Sequence, residues 1–99
     1  MFKLAPDGTP QRCASNDPDL WHQATTGRFI VGRSALTPSV EVATSFDIVA
    51  GNWITTVDAD GYACADHEVR WDSEARAQDG HKATTEWVRS LVEAAEVAS

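Results

Sequence analysis

The chain has little of what usually announces a function. Only two of its 99 residues are cysteine, Cys13 and Cys64, too few for the disulfide framework of a small secreted scaffold. One bridge between them would close a long loop in an oxidising compartment, whereas free buried thiols are the commoner cytosolic outcome. No window approaches the roughly 20 apolar residues of a membrane span. Residues 1–6 lack the apolar run of a signal peptide, so the expected location is cytoplasmic. Positive charge is scarce as well: eight Lys and Arg face fifteen Asp and Glu, a formal charge of −7. Such a field repels phosphate backbones and disfavours direct binding to nucleic acid. There is no internal repeat, no low-complexity tract and no Gly-x-Ser-x-Gly element.

What is present suffices for one domain over 1–99. A 42% hydrophobic fraction and four tryptophans supply a modest core. The Ala, Asp, Val and Arg bias resembles proteins of GC-rich bacteria or their phages, a likeness of composition that carries no activity.

Turn chemistry punctuates the first stretch at Pro6-Asp7-Gly8 and at Asn16-Asp17-Pro18-Asp19. Between these turns, residues 9–14 form at best a short edge strand because of Pro10, and residues 20–23 suggest another. Nothing here reads as a helix. From Gly27 the pattern changes. Residues 28–33 are β-branched and aromatic between two glycines, and residues 39–43 and 46–48 alternate as half-buried strands do. Thr37-Pro38 would also suit a helix start, but Val40, Val42, Ile48 and Val49 favour strand. A hairpin follows, with arms at 52–57 and 62–65 around Asp58-Ala59-Asp60-Gly61. Trp53, Thr55 and Val57 share one face of its first arm. Val69 and Trp71 extend the sheet. Residues 72–78 offer a short helix that Gly80 would end. The closing element is a helix over 85–97, capped by Thr84 or Thr85, with Trp87, Val88, Leu91, Val92 and Ala95 on one face. The fold class is therefore α+β: a small antiparallel sheet packed against a C-terminal amphipathic helix, with a second short helix as an option near 72–79.

The chemistry-bearing residues form no specific motif. Cys64-Ala65-Asp66-His67 gives a Cys-x2-His pair, and Cys13 with His22 would complete a zinc set. The first pair is loosely spaced, and random Cys and His residues produce such sets often. Asp58-Ala59-Asp60-Gly61 superficially matches a calcium loop, but its ends would fall on Thr56 and His67, and a turn explains it. Cys13 or Cys64 with His22, His67 or His81 lacks any supporting nucleophile signature, and His81 in a polar stretch reads as solvated. Gly27-Arg28 and Gly32-Arg33 do not make a phosphate-binding loop. No catalytic residue is assigned.

Charge is the remaining signal. The acids Asp58, Asp60, Asp66, Glu68, Asp72, Glu74 and Asp79 face only Arg70 and Arg76 within residues 58–79. Trp53 and Trp87 sit in apolar patterns and belong in a core. Trp21 and Trp71 lie beside charged residues, where an exposed indole would serve as an interface anchor, although burial is the commoner state. The leading expectation is a non-enzymatic protein-binding or inhibitory protein. It would set Asp58, Asp60, Asp66, Glu68, Asp72, Glu74 and Trp71 against a basic partner protein, for instance as a phage or mobile-element nucleic-acid mimic of the anti-CRISPR or anti-restriction type. The alternatives are a zinc-stabilised module on Cys13, His22, Cys64 and His67, and a small enzyme or ligand carrier. The last would need a pocket between sheet and helix lined by Tyr62, Trp53 and a histidine. No cofactor is expected on the leading reading.

Overall fold

The computed structural model describes residues 1–59 and 67–98. Strands β1 (Phe2–Leu4) and β2 (Pro10–Arg12) form an antiparallel ribbon around the Pro6-Asp7-Gly8 turn. Asp7 tightens that turn by accepting the Thr9 N–H at 3.1 Å and its hydroxyl at 2.7 Å. Helix α1 (Pro18–Thr26) follows, where a strand was expected over 20–23. The physical reason lies in Asn16-Asp17-Pro18-Asp19. Asp17 accepts the Asp19 N–H as N-cap, and Pro18 supplies a preset first helical residue. The residues that signal a turn are also those that start a helix. Gly27, at φ 77°, ends it. Leu20 anchors α1 in the core, and Gln23 binds the Leu4 backbone at both its N–H (2.9 Å) and C=O (2.7 Å).

Among the described residues, four antiparallel strands make the main sheet in sequential order: β3 (Ile30–Thr37), β4 (Val40–Asp47), β5 (Asn52–Ala59) and β6 (Glu68–Trp71). The stretches expected at 39–43 and 46–48 are one continuous strand, β4. Its partner β3 runs later than expected and carries irregularities at Ile30/Gly32 and Ala35/Thr37. The expected face of Trp53, Thr55 and Val57 is the buried face of β5, and Ala59 joins it. The second hairpin arm over 62–65 lies outside the described residues. Val69 and Trp71 do extend the sheet, on β6.

Helix α2 (Glu74–Ala98) is 25 residues long and covers this sheet. Residues 72–79 are thus largely helical, but as the first turns of one helix that passes through Gly80. Its start is held by the Ser73 hydroxyl, which accepts the Arg76 N–H at 3.2 Å. Thr84 and Thr85 are not caps. Both are buried in mid-helix, and the Thr85 hydroxyl donates to the His81 carbonyl at 2.7 Å. A helix of this length spans about 37 Å, which accounts for the elongated extents of 51 × 21 × 18 Å.

Two apolar clusters lie between helix and sheet. One joins Val40, Val42, Val57 and Ala59 to Val88 and Val92. The other joins Leu4, Leu20, Phe29, Phe46 and Trp53 to Ala77, with Trp53 only 1% exposed and its ring 4.9 Å from that of Phe46. Each buried side chain of this size contributes about 1.5–3 kcal/mol. Val88 and Val92 confirm the expected helix face, whereas Trp87 lies off its centre at 41% exposure and Ala95 is exposed.

Candidate functional site

A row of polar side chains separates the two clusters. Gly32, Thr44, Thr55 and Val69 occupy one register across β3, β4, β5 and β6. Strand alternation puts Thr44 in phase with Val42 and Phe46, and Thr55 in phase with Trp53 and Val57. Both threonines are therefore buried, at 1% and 0% exposure. Their hydroxyls lie 2.6 Å apart. From α2, His81 reaches down with Nδ1 2.8 Å from Thr44 Oγ1 and Nε2 3.0 Å from Ser34 Oγ. From β6, the Trp71 indole N–H donates to Thr55 Oγ1 at 2.9 Å.

A proton count orders this row. The indole can only donate, so Thr55 accepts from Trp71. The single hydroxyl proton of Thr55 then has one acceptor among the described residues, Thr44. Thr44 in turn gives its proton to His81 Nδ1, leaving the imidazole proton on Nε2, directed at Ser34. Every buried donor is satisfied only in this direction, and an unsatisfied one would cost about 1–3 kcal/mol. Burial also pushes the His81 pKa below its ordinary value. A second imidazole proton would make Nδ1 a donor to Thr44 and leave one of the two threonine hydroxyl protons without a partner. With its proton on Nε2, His81 is a donor to Ser34 and is not placed as a base for that hydroxyl.

Glycine makes the approach possible on both sides. A Cβ on Gly32 would lie 2.9 Å from the His81 ring, and one on Gly80 would overlap the Trp71 indole. Gly80 is thus the seat of Trp71, which is why it does not end the helix.

The acids expected to bind a partner are distributed differently in space from their order in sequence. Glu68 pairs with Arg70 at 3.5 Å and Asp72 with Arg76 at 3.3 Å. Glu74 takes both Arg28 nitrogens at 3.1 Å, across 46 residues. Asp58 is exposed at the end of β5 without an ion pair among the described residues, while Asp60 and Asp66 lie outside them. Trp71 is turned inward, onto Thr55 and Gly80. The exposed indoles are those of Trp21, at 49%, and Trp87, whose ring lies 4.8 Å from that of His67. For the zinc set, Cys13 packs against the Leu4–Trp53 cluster, His22 is exposed on α1, and Cys64 lies outside the described residues. Among the described residues no three His, Cys, Asp or Glu side chains gather as metal ligands. Tyr62, named for a pocket between sheet and helix, also lies outside the described residues, and Trp53 is packed within its cluster.

Sequence reasoning passed over Ser34, Thr44 and Thr55 and took His81 as solvated. The available signal was phase: each threonine stands where its strand calls for an apolar residue. Compared with family models, curated proteins and solved structures, the chain matches none.

Proposed function

We propose that the protein is a non-enzymatic binding protein that docks on a basic surface of a partner protein. The observation that carries this reading is the placement of uncompensated charge. Asp79, Glu86 and Glu93 recur every seven residues on the solvent side of α2, and none has an ion pair among the described residues. Their spacing is about 10.5 Å along the helix axis. Trp87 stands beside this line, on the flank toward β6 and His67, as an aromatic anchor among acids. The surface so defined shifts from the 58–79 segment, where arginines already neutralise Glu68, Asp72 and Glu74, to the outer face of α2. Asp58 remains an accessory acid. A nucleic-acid-binding protein is one partner class with the required positive surface, which keeps the nucleic-acid mimic within this proposal.

The test is affinity capture with the full chain and with an Asp79→Asn/Glu93→Gln variant and a Trp87→Ala variant. The expected partner is basic and is captured less as salt rises. The charge variant slows association and Trp87→Ala speeds release. An acidic partner, or capture indifferent to both variants, overturns the reading.

A further inference from the structure

We propose that the depression between β3 and α2, lined by Ser34, His81, Lys82, Thr85, Glu86 and Arg89, binds a small oxyanion, a carboxylate or a phosphate group. Its volume is about 290 Å³, and it opens to solvent on the side of α2 away from Trp87. The first support is a census of cations. Lys3, Arg28, Arg33, Arg70 and Arg76 are ion-paired, and Arg12 lies over the Phe2 ring. Of the eight Lys and Arg residues this leaves Lys82 and Arg89, which have neither kind of partner among the described residues. In a chain of charge −7, both uncommitted cations line one depression.

The second support is independent of charge. Ser34 accepts the His81 Nε2 proton, so its own hydroxyl proton is left to donate, and no described side chain or carbonyl receives it. That proton stands at the open end of an aligned chain from Trp71 through Thr55, Thr44 and His81, in which each bond polarises the next. A hydroxyl donor that shares one lining with an ammonium and a guanidinium is the donor set of an oxyanion site. Glu86 opposes it. It lies between Lys82 and Arg89 on the helix, pairs with neither, and leaves the lining with two cations against one carboxylate.

Titration of the isotope-labelled full chain with sodium phosphate, and separately with sodium acetate, at constant ionic strength tests the site. Saturable shifts are expected at Ser34, Lys82 and Arg89. Saturation by phosphate alone assigns a phosphate group, and saturation by acetate alone assigns a carboxylate. Lys82→Ala/Arg89→Ala weakens binding by about tenfold or more, through loss of two charge-assisted donors. Glu86→Gln strengthens it by about fivefold, the effect of one like charge at contact distance in a watery dielectric. These side chains are exposed, so the variants keep the fold. Shifts that match those in sodium chloride, or saturation that survives the double variant, overturn the proposal. The Asp79, Glu93 and Trp87 variants used for partner capture leave this lining intact, so the two readings fail separately.

Discussion

Helix α2 meets the two edge strands of the sheet in opposite ways. At β3 a glycine in the strand, Gly32, admits an imidazole from the helix. At β6 a glycine in the helix, Gly80, admits an indole from the strand. The first contact is polar and ends at solvent through Ser34. The second is aromatic and donates one hydrogen bond inward, to Thr55. The two are ends of one connected row. The comparison teaches that a glycine's meaning comes from what lies over it. Gly80 reads as a helix stop in sequence and serves as a seat.

The largest effect should come from Gly80→Ala. In an exposed helix this change gains about 1 kcal/mol from propensity. Here the methyl group overlaps the Trp71 ring carbons themselves, and overpacking so severe costs at least the ~3 kcal/mol at the top of the usual range. Denaturant unfolding should show a net loss, and Gly80→Ala should become stabilising in a Trp71→Ala background. A gain in the wild-type background would sink the idea of a seat.

Thr55→Val comes next. It keeps the shape but removes both the acceptor for Trp71 and the donor to Thr44, at a cost of about 1–3 kcal/mol. Thr44→Val made together with it should cost less than the sum of the two, since the pair shares one hydrogen bond. Strict additivity in a double-mutant cycle would mean the row is not connected.

The pH dependence sharpens the β3 side alone. His81 has its folded pKa lowered by burial. The unfolded chain therefore binds the proton more readily, and its contribution to stability is present above pH 6.5, the ordinary histidine value, and lost as pH falls below it. Asp7, Asp17 and Asp47 are also held low: Asp7 by Thr9, Asp17 by Lys3, and Asp47, against burial that acts upward, by the Val49 N–H, Arg70 and the Ala50 N–H together. Their losses begin lower, below the ordinary carboxylate value of 3.8. His81→Gln should flatten the stability curve between these windows and leave the acid limb in place. An unchanged slope near pH 6 would show that His81 does not titrate with folding.

The smallest effect on stability is expected for Trp87→Ala. Its indole is 41% exposed and touches His67 across the β6 edge. A change within about 1 kcal/mol fits a surface position, whereas a core-sized loss would place Trp87 within the packing that α2 makes on the sheet.

Much of the fold was legible because it rests on period. The inner face of β5 and the Val88–Val92 side of α2 follow from alternation and helical spacing. Helix α1 was not legible, since Asp17 and Pro18 serve equally to turn the chain and to begin a helix. The site was hidden for a different reason. Ser34, Thr44 and Thr55 are polar residues at apolar positions, and His81 enters the buried face only once the helix runs unbroken from Ala77 past Gly80. The acids misled in turn, because density along the chain is not density on the surface. Arg28 reaches Glu74 from the far side of the sequence.

The polar row also fixes where α2 stands along its own axis. Its inner face is built largely of alanine, valine and threonine, a surface that could settle at several positions against apolar strands. Sliding by one turn, about 5.4 Å, would bring Ala77 or Thr85 over Thr44 in place of His81. The Thr44 proton would lose its nitrogen acceptor, and Trp71 would meet a side chain where Gly80 had been. The row thus works as an alignment mark, permitting one seating of a long helix and penalising its neighbours on either side.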